Sequence, residues 1–185
     1  TLGDLLWETA DARADEVALV DASAHPATRM TYGEMTARAD AAALRLRDLG
    51  LEPDDRLLVQ LPNGWEFVVL TLACFRSGVI PVMALPAHRR HELEHLASLS
   101  EARAIAVPGV LRDFDHQALA HEFAAELPDL THVLVLGEPT GSAVDLGALL
   151  DAPADAAERA AQREAADALE PHPDSPACFL ISGGT

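Results

Sequence analysis

Two stretches of this chain combine residue types and spacing that could do chemistry. The first is the terminal Ser182-Gly183-Gly184-Thr185, preceded by the apolar run Ala177-Cys178-Phe179-Leu180-Ile181. An apolar run that empties into paired glycines reads as a buried strand entering a flexible loop, the place where α/β proteins put phosphates. Adjacent glycines let successive backbone N–H groups turn toward an anion, and flanking hydroxyls add neutral donors. Taken by themselves, the same four residues equally suit a plain surface turn. The second stretch is His91-Glu92-Leu93-Glu94-His95, an H-E-x-x-H pattern. Two imidazoles one helical turn apart can bind zinc while the glutamate activates water. Such a site needs a third ligand, for which His88 and His116 can be proposed, and Arg89 and Arg90 just upstream suit a solvated helix face. No metal site is expected.

Other chemistries lack their signatures. G-x-G-x-x-G, G-x-x-x-x-G-K-[ST] and G-x-S-x-G do not occur, so dinucleotide, Walker and serine-hydrolase sites are unsupported. The formal charge is -17, and all 13 basic residues are arginine. A field of that sign repels phosphate backbones and anionic lipid, which argues against nucleic acid and membrane as partners. A small phosphate site remains open, because it uses local N–H groups and not net charge. Cys74 and Cys178 sit in apolar runs, as reduced thiols do, and no basic-then-apolar leader begins the chain. A cytoplasmic compartment is expected. The absence of an initial Met suggests a trimmed start.

The elements that would position these residues alternate in type. Helical spacing runs from Leu2 to about Ala14, and 17–20 reads as a strand. Arg29 to Glu34 opens a helix in which Thr31 and Glu34 stand in capping-box relation, stopping at Gly50. Strands follow at 56–61 and 79–84, where Pro81 argues for an edge or a strand start, with a nearly all-apolar helix at 65–76 between them. A helix over 89–101, a strand at 104–107, a helix over 115–127 and a strand at 132–136 complete the pattern. Alternation of this kind predicts an α/β fold with a largely parallel sheet flanked by helices. Residues 137–176 read as an ornamented connection with a surface helix over 155–169, and 177–185 as a strand and the start of the phosphate loop.

Three stretches in order carry a resemblance. Met30-Thr31-Tyr32-Gly33-Glu34-Met35 resembles "LTYxEL", Phe75-Arg76-Ser77-Gly78-Val79-Ile80-Pro81-Val82 resembles "LKAGxxxVP", and Phe179 to Thr185 resembles the start of "SGTTGxPK". These are successive motifs of the adenylate-forming superfamily of acyl-CoA synthetases, luciferases and peptide-synthetase adenylation domains. Ser182-Gly183-Gly184-Thr185, as in "SGGTTG", and Ala84-Leu85-Pro86-Ala87-His88-Arg89-Arg90, as in "AL-x-x-H-x-R", are most similar to the 2,3-dihydroxybenzoate- and salicylate-AMP ligases. The resemblance implies that residues 1–185 are the first subdomain of the large N-terminal domain. It also implies a two-step reaction. An aromatic carboxylate attacks the α-phosphorus of ATP, with Mg2+, and the acyl adenylate passes its acyl group to a carrier-protein phosphopantetheine or CoA thiol, in siderophore or natural-product biosynthesis. By the same resemblance Ser182, Gly183, Gly184 and Thr185 contact the β- and γ-phosphates. No catalytic residue falls within this chain, so these 185 residues alone are expected to be inactive. The alternatives are another acyl-CoA or acyl-carrier ligase of the superfamily, or a non-catalytic half-domain that binds a partner.

Overall fold

The computed structural model describes residues 2–169 and 171–181. In chain order it contains α1 (Leu2–Ala12), β1 (Val17–Asp21), β2 (Thr28–Thr31), α2 (Tyr32–Asp48), β3 (Arg56–Val59), α3 (Trp65–Ser77), β4 (Ile80–Met83) and α4 (Arg90–Ser100). These are followed by β5 (Ala104–Pro108), β6 (Val110–Leu111), β7 (Phe114–Asp115), α5 (His116–Glu126), β8 (His132–Leu136), β9 (Val144–Asp145), α6 (Leu146–Leu149) and α7 (Ala156–Asp167). They fall into two compact units. One takes the chain up to Pro53 with Asn63–Gly78 and Leu150–Ser175; the other takes Asp54–Pro62, Val79–Leu149 and the chain from Pro176 onward.

The first unit is mainly helical. α2 starts where the capping box predicts: Thr31 Oγ1 accepts from the Glu34 N–H at 3.2 Å and Glu34 Oε2 from the Thr31 N–H at 2.9 Å. Its buried face is Ala39, Ala41, Ala42, Ala43 and Leu46, small enough to let α3 pack closely. α3 stops at Gly78, whose φ of +77 is left-handed and whose added Cβ would lie 3.2 Å from Pro53 Cβ, so glycine is required there. Inside this unit the buried Asp40 accepts from Trp7 Nε1 at 3.0 Å and from Arg76 Nε at 2.9 Å. Arg76 also pairs with Asp167, so a single charge cluster ties α1, α2, α3 and α7. Full burial pushes the Cys74 thiol up, leaving it inert. Residues 29–31, expected as the lead-in to α2, instead belong to β2, paired antiparallel with β1. The extended Thr31 that caps the helix is the last residue of that strand.

The second unit is built on a parallel sheet of order β4-β3-β5-β8-β9, five strands among the described residues. This is the expected α/β class. Leu58, Val82, Ile105, Val107, Val133 and Val135 meet Leu93 and Ala97 of α4 and Leu119, Ala120 and Phe123 of α5 in one apolar cluster. β4 lies at the sheet edge, as Pro81 required. The Ile80 and Ala84 N–H groups bond inward, to Asp55 O and Val59 O. Pro81, out of phase with them, therefore has its missing N–H on the outer side, where no β3 bond is lost.

Two features had no clear sequence signal. β6 and β7 form a hairpin whose central residues, Arg112 and Asp113, have φ of +51 and +60. A tight turn of that hand normally shows Asn-Gly, and neither residue is present. β9 adds a parallel strand inside the segment read as connection, pairing with Leu134 and Val135. The helix in that segment is present, with Asp155 Oδ1 accepting from the Ala157 and Glu158 N–H groups at 2.8 and 3.0 Å.

Candidate functional site

Open parallel sheets take ligands outside the carboxyl ends of their strands, and in the second unit that edge is organised by one polar side chain. Gln60 follows β3 directly and is 0% exposed. Its Nε2 donates to Leu85 O at 3.0 Å and His88 O at 2.9 Å, fixing the turn from β4 into α4. With both amide hydrogens so occupied, Oε1 accepts, and its partner is His116 Nδ1 at 3.1 Å. The imidazole therefore carries its proton on Nδ1. His116 is 1% exposed; burial, aided by the nearby Arg89 charge, holds its pKa below the ordinary histidine value. Phe114 stands edge-on to the His116 ring, centroids 4.8 Å apart, and the Arg89 guanidinium lies 4.1 Å from the Phe114 centroid. Arg89 Nη1 also donates to Pro86 O and His88 O at 2.9 and 2.8 Å. The run Ala84 to Arg90 is thus a rigid turn on the carboxyl edge, pinned from β3 and from the start of α5.

The chain reaches the same edge a second time. Phe179 pairs with Val82 in parallel: the Met83 N–H donates to Phe179 O and the Phe179 N–H to Pro81 O, both at 3.0 Å. The chain at Phe179 therefore runs toward the carboxyl ends of the strands. The pairing is narrower than the expected 177–181 strand, and burial is not reached: Phe179, Leu180 and Ile181 are 42%, 74% and 46% exposed. Phe179 lies outside the edge strand, with no further described strand beyond it. Ser182, Gly183, Gly184 and Thr185 lie outside the described residues.

The H-E-x-x-H residues are differently employed. His91, Glu92 and His95 are exposed on α4, and Glu92 Oε2 accepts from the Arg89 N–H at 3.0 Å as a helix cap. His88 Nδ1 faces the Leu85 N–H and His116 Nδ1 faces Gln60. Among the described residues no three His, Cys, Asp or Glu side chains gather as metal ligands, and no helix is long and apolar enough to cross a membrane. Gln60 itself was missed. Its signal was a lone amide inside the apolar run Leu57-Leu58-Val59-Gln60-Leu61.

A parallel α/β sheet whose carboxyl edge is reached by the chain again at Phe179 has the architecture in which open α/β sheets take ligands. The chain belongs to the AMP-binding enzyme family, whose pattern it matches over residues 6–185. Over all 185 residues it is 51% identical to a salicylyl-CoA synthase / salicylate adenylyltransferase of Streptomyces, covering 32% of that protein. It is 41% identical to the salicyl-AMP ligase / salicyl-S-ArCP synthetase of Mycobacterium tuberculosis, covering 31% of it. The apo structure of Mycobacterium smegmatis MbtA superposes with a TM-score of 0.79 at 36% identity, over 100% of this chain and 31% of that one. The chain thus spans about a third of the length of these relatives.

Proposed function

We propose that this chain is the amino-terminal part of an aryl-acid AMP ligase and supplies its phosphate loop. In this reading Ser182, Gly183, Gly184 and Thr185 contact the β- and γ-phosphates of ATP, which enters with Mg2+. An aromatic carboxylate of the salicylate or 2,3-dihydroxybenzoate type attacks the α-phosphorus, pyrophosphate leaves, and a carrier-protein phosphopantetheine or CoA thiol then takes the acyl group. Such chemistry requires two anions to be aligned and their charge relieved, which inward N–H groups and hydroxyls can do. The observation that carries the reading is 51% identity across the whole chain to a salicylate-activating relative. The parallel pairing at Phe179, which sends the chain toward the carboxyl edge, supports the placement of the loop.

The test is ATP–pyrophosphate exchange by the full-length protein that contains this chain, with salicylate, 2,3-dihydroxybenzoate, benzoate and a fatty acid as substrates. Exchange that depends on an aromatic acid is expected. A fatty acid supporting exchange where no aromatic acid does would overturn the aryl assignment. Ser182→Ala and Thr185→Ala should each lower kcat/KM for ATP by roughly 10- to 100-fold, the value of a hydrogen bond to a charged group. Unchanged values would remove the phosphate-loop assignment while leaving the substrate class intact.

A further inference from the structure

We propose that the helical unit carries an oxyanion-binding site, independent of the adenylation reading, in a cavity of about 200 Å³ lined by Arg29, Arg38 and Arg159 over Met30 and Pro153. Three of the 13 arginines of a chain with net charge -17 converge on this one concavity. Two of them, Arg29 and Arg159, have no carboxylate partner among the described residues, while Arg38 pairs with Asp151. Elsewhere in the same unit Arg13, Arg47, Arg76 and Arg163 each face a carboxylate: Glu16, Glu52, Asp40 with Asp167, and Asp11 with Asp167.

In the cavity backbone carbonyls do most of the holding. Arg159 Nε donates to Pro153 O at 2.6 Å and its Nη2 to Ala154 O at 3.4 Å, with no carboxylate partner among the described residues. Arg38 Nη1 donates to Leu150 O and to Asp151 Oδ1, both at 3.1 Å, and its guanidinium lies 4.9 Å from the Trp65 ring centroid. Arg29 is exposed and has no side-chain partner among the described residues. A carbonyl orients a guanidinium without cancelling its charge and leaves other N–H donors of the fork free, as recognition of a carboxylate or phosphoryl group requires. Glu34, the carboxylate that also lines the cavity, is turned to the Thr31 N–H at 2.9 Å as a helix cap. Three guanidinium charges therefore face Glu34 and Asp151, a surplus of one positive charge. The cavity volume suits a phosphate or a small carboxylate, not a nucleotide.

Equilibrium dialysis of labelled inorganic phosphate against the full-length protein, at constant ionic strength set with chloride, tests the site. Besides any phosphate held by the proposed loop, the wild type should show a saturable site that Arg29→Ala weakens at least about tenfold, the value of one charge-assisted hydrogen bond. Arg29→Lys should restore part of the affinity. Arg112→Ala, which removes an exposed arginine of the other unit, should change nothing. Because Arg29 holds no partner, its removal should leave the melting temperature unchanged, so lost binding is not lost folding. Competition by malonate identifies a carboxylate-accepting site, and competition by pyrophosphate alone a phosphoryl-selective one. Equal phosphate binding by wild type and Arg29→Ala, or a loss reproduced by Arg112→Ala, would overturn the proposal. The Ser182→Ala and Thr185→Ala variants should keep this site, which separates its failure from that of the phosphate loop.

Discussion

Replacing Gln60 by leucine removes the one side chain that joins β3, the Leu85–Arg89 turn and the start of α5. The substitution keeps size but removes one of two donors from Leu85 O and His88 O, which keep the His88 N–H and Arg89 Nη1, and strips the partner from His116 Nδ1. A buried polar group left unpaired costs about 1–3 kcal/mol. The two carbonyls belong to residues that are exposed or half-buried, so water can reach them when the turn loosens. His116, 1% exposed, has no such recourse. A loss of about 2–4 kcal/mol follows, close to the full penalty for the imidazole plus a fraction for the carbonyls. Urea denaturation of the full-length protein, read by fluorescence and near-UV circular dichroism, measures it. The sharper measurement is the pair with His116→Phe. Removing both partners with apolar groups of similar shape spares the orphaned donor, so the double variant should be more stable than the sum of the single losses by about 1–2 kcal/mol. Additivity of the two substitutions, or a Gln60→Leu cost below about 0.5 kcal/mol, would show that the buried network is not what holds the turn.

Acid sensitivity gives a second check. Burial keeps the His116 pKa depressed, so its contribution to stability is present above the unfolded value of about 6.5 and is lost as pH falls through the lower folded value. His116→Asn, whose amide can still donate to Gln60, should flatten the melting temperature over that interval. Asp21 behaves likewise at lower pH. Hydrogen bonds from Ser23 and the Trp65 N–H hold its carboxyl below the usual aspartate range, so Asp21→Asn should reduce the fall in melting temperature as pH drops below about 4. In the β6–β7 turn, Arg112→Asn with Asp113→Gly relieves two left-handed φ values and should raise stability by about 1 kcal/mol, seen as a higher urea midpoint. Gly78→Ala should do the reverse by about 1–2 kcal/mol, because φ of +77 and the Cβ contact at 3.2 Å to Pro53 both oppose it.

Local chemistry was legible at several places where the two partners lie close in sequence. The Thr31–Glu34 box, the Gly50 and Gly78 stops and the edge placement of Pro81 depend on residues within a few positions, and each occurs as its residue types require. Apart from the β6–β7 turn, what stayed hidden spans long separations. Gln60 and His116 are 56 positions apart, and the Asp21 carboxylate accepts from the Trp65 N–H at the start of α3 from 44 positions away. Gly64 is the N-cap of α3 and contributes no side chain to it. A remote carboxylate fills that place, which no local pattern can announce.

The H-E-x-x-H stretch shows the same limit from the opposite side. Its spacing is right for zinc, but a glutamate at the third position of a helix is also what a free N–H at the helix start attracts. Glu92 takes that second role, accepting from the Arg89 N–H, while the backbone of the preceding turn is committed to Gln60 and Arg89. The residues of Ala84 to Arg90 that looked like a branch-specific signature thus have a physical reason to be rigid. They border the edge to which Phe179 brings the chain. If the turn and Phe179 act as one support for the proposed phosphate loop, Gln60→Leu should raise the KM for ATP of the full-length protein in the exchange assay beyond any change seen with Asp113→Gly. Equal kinetic effects from the two variants would mean that the turn supports the fold and not the proposed phosphate loop.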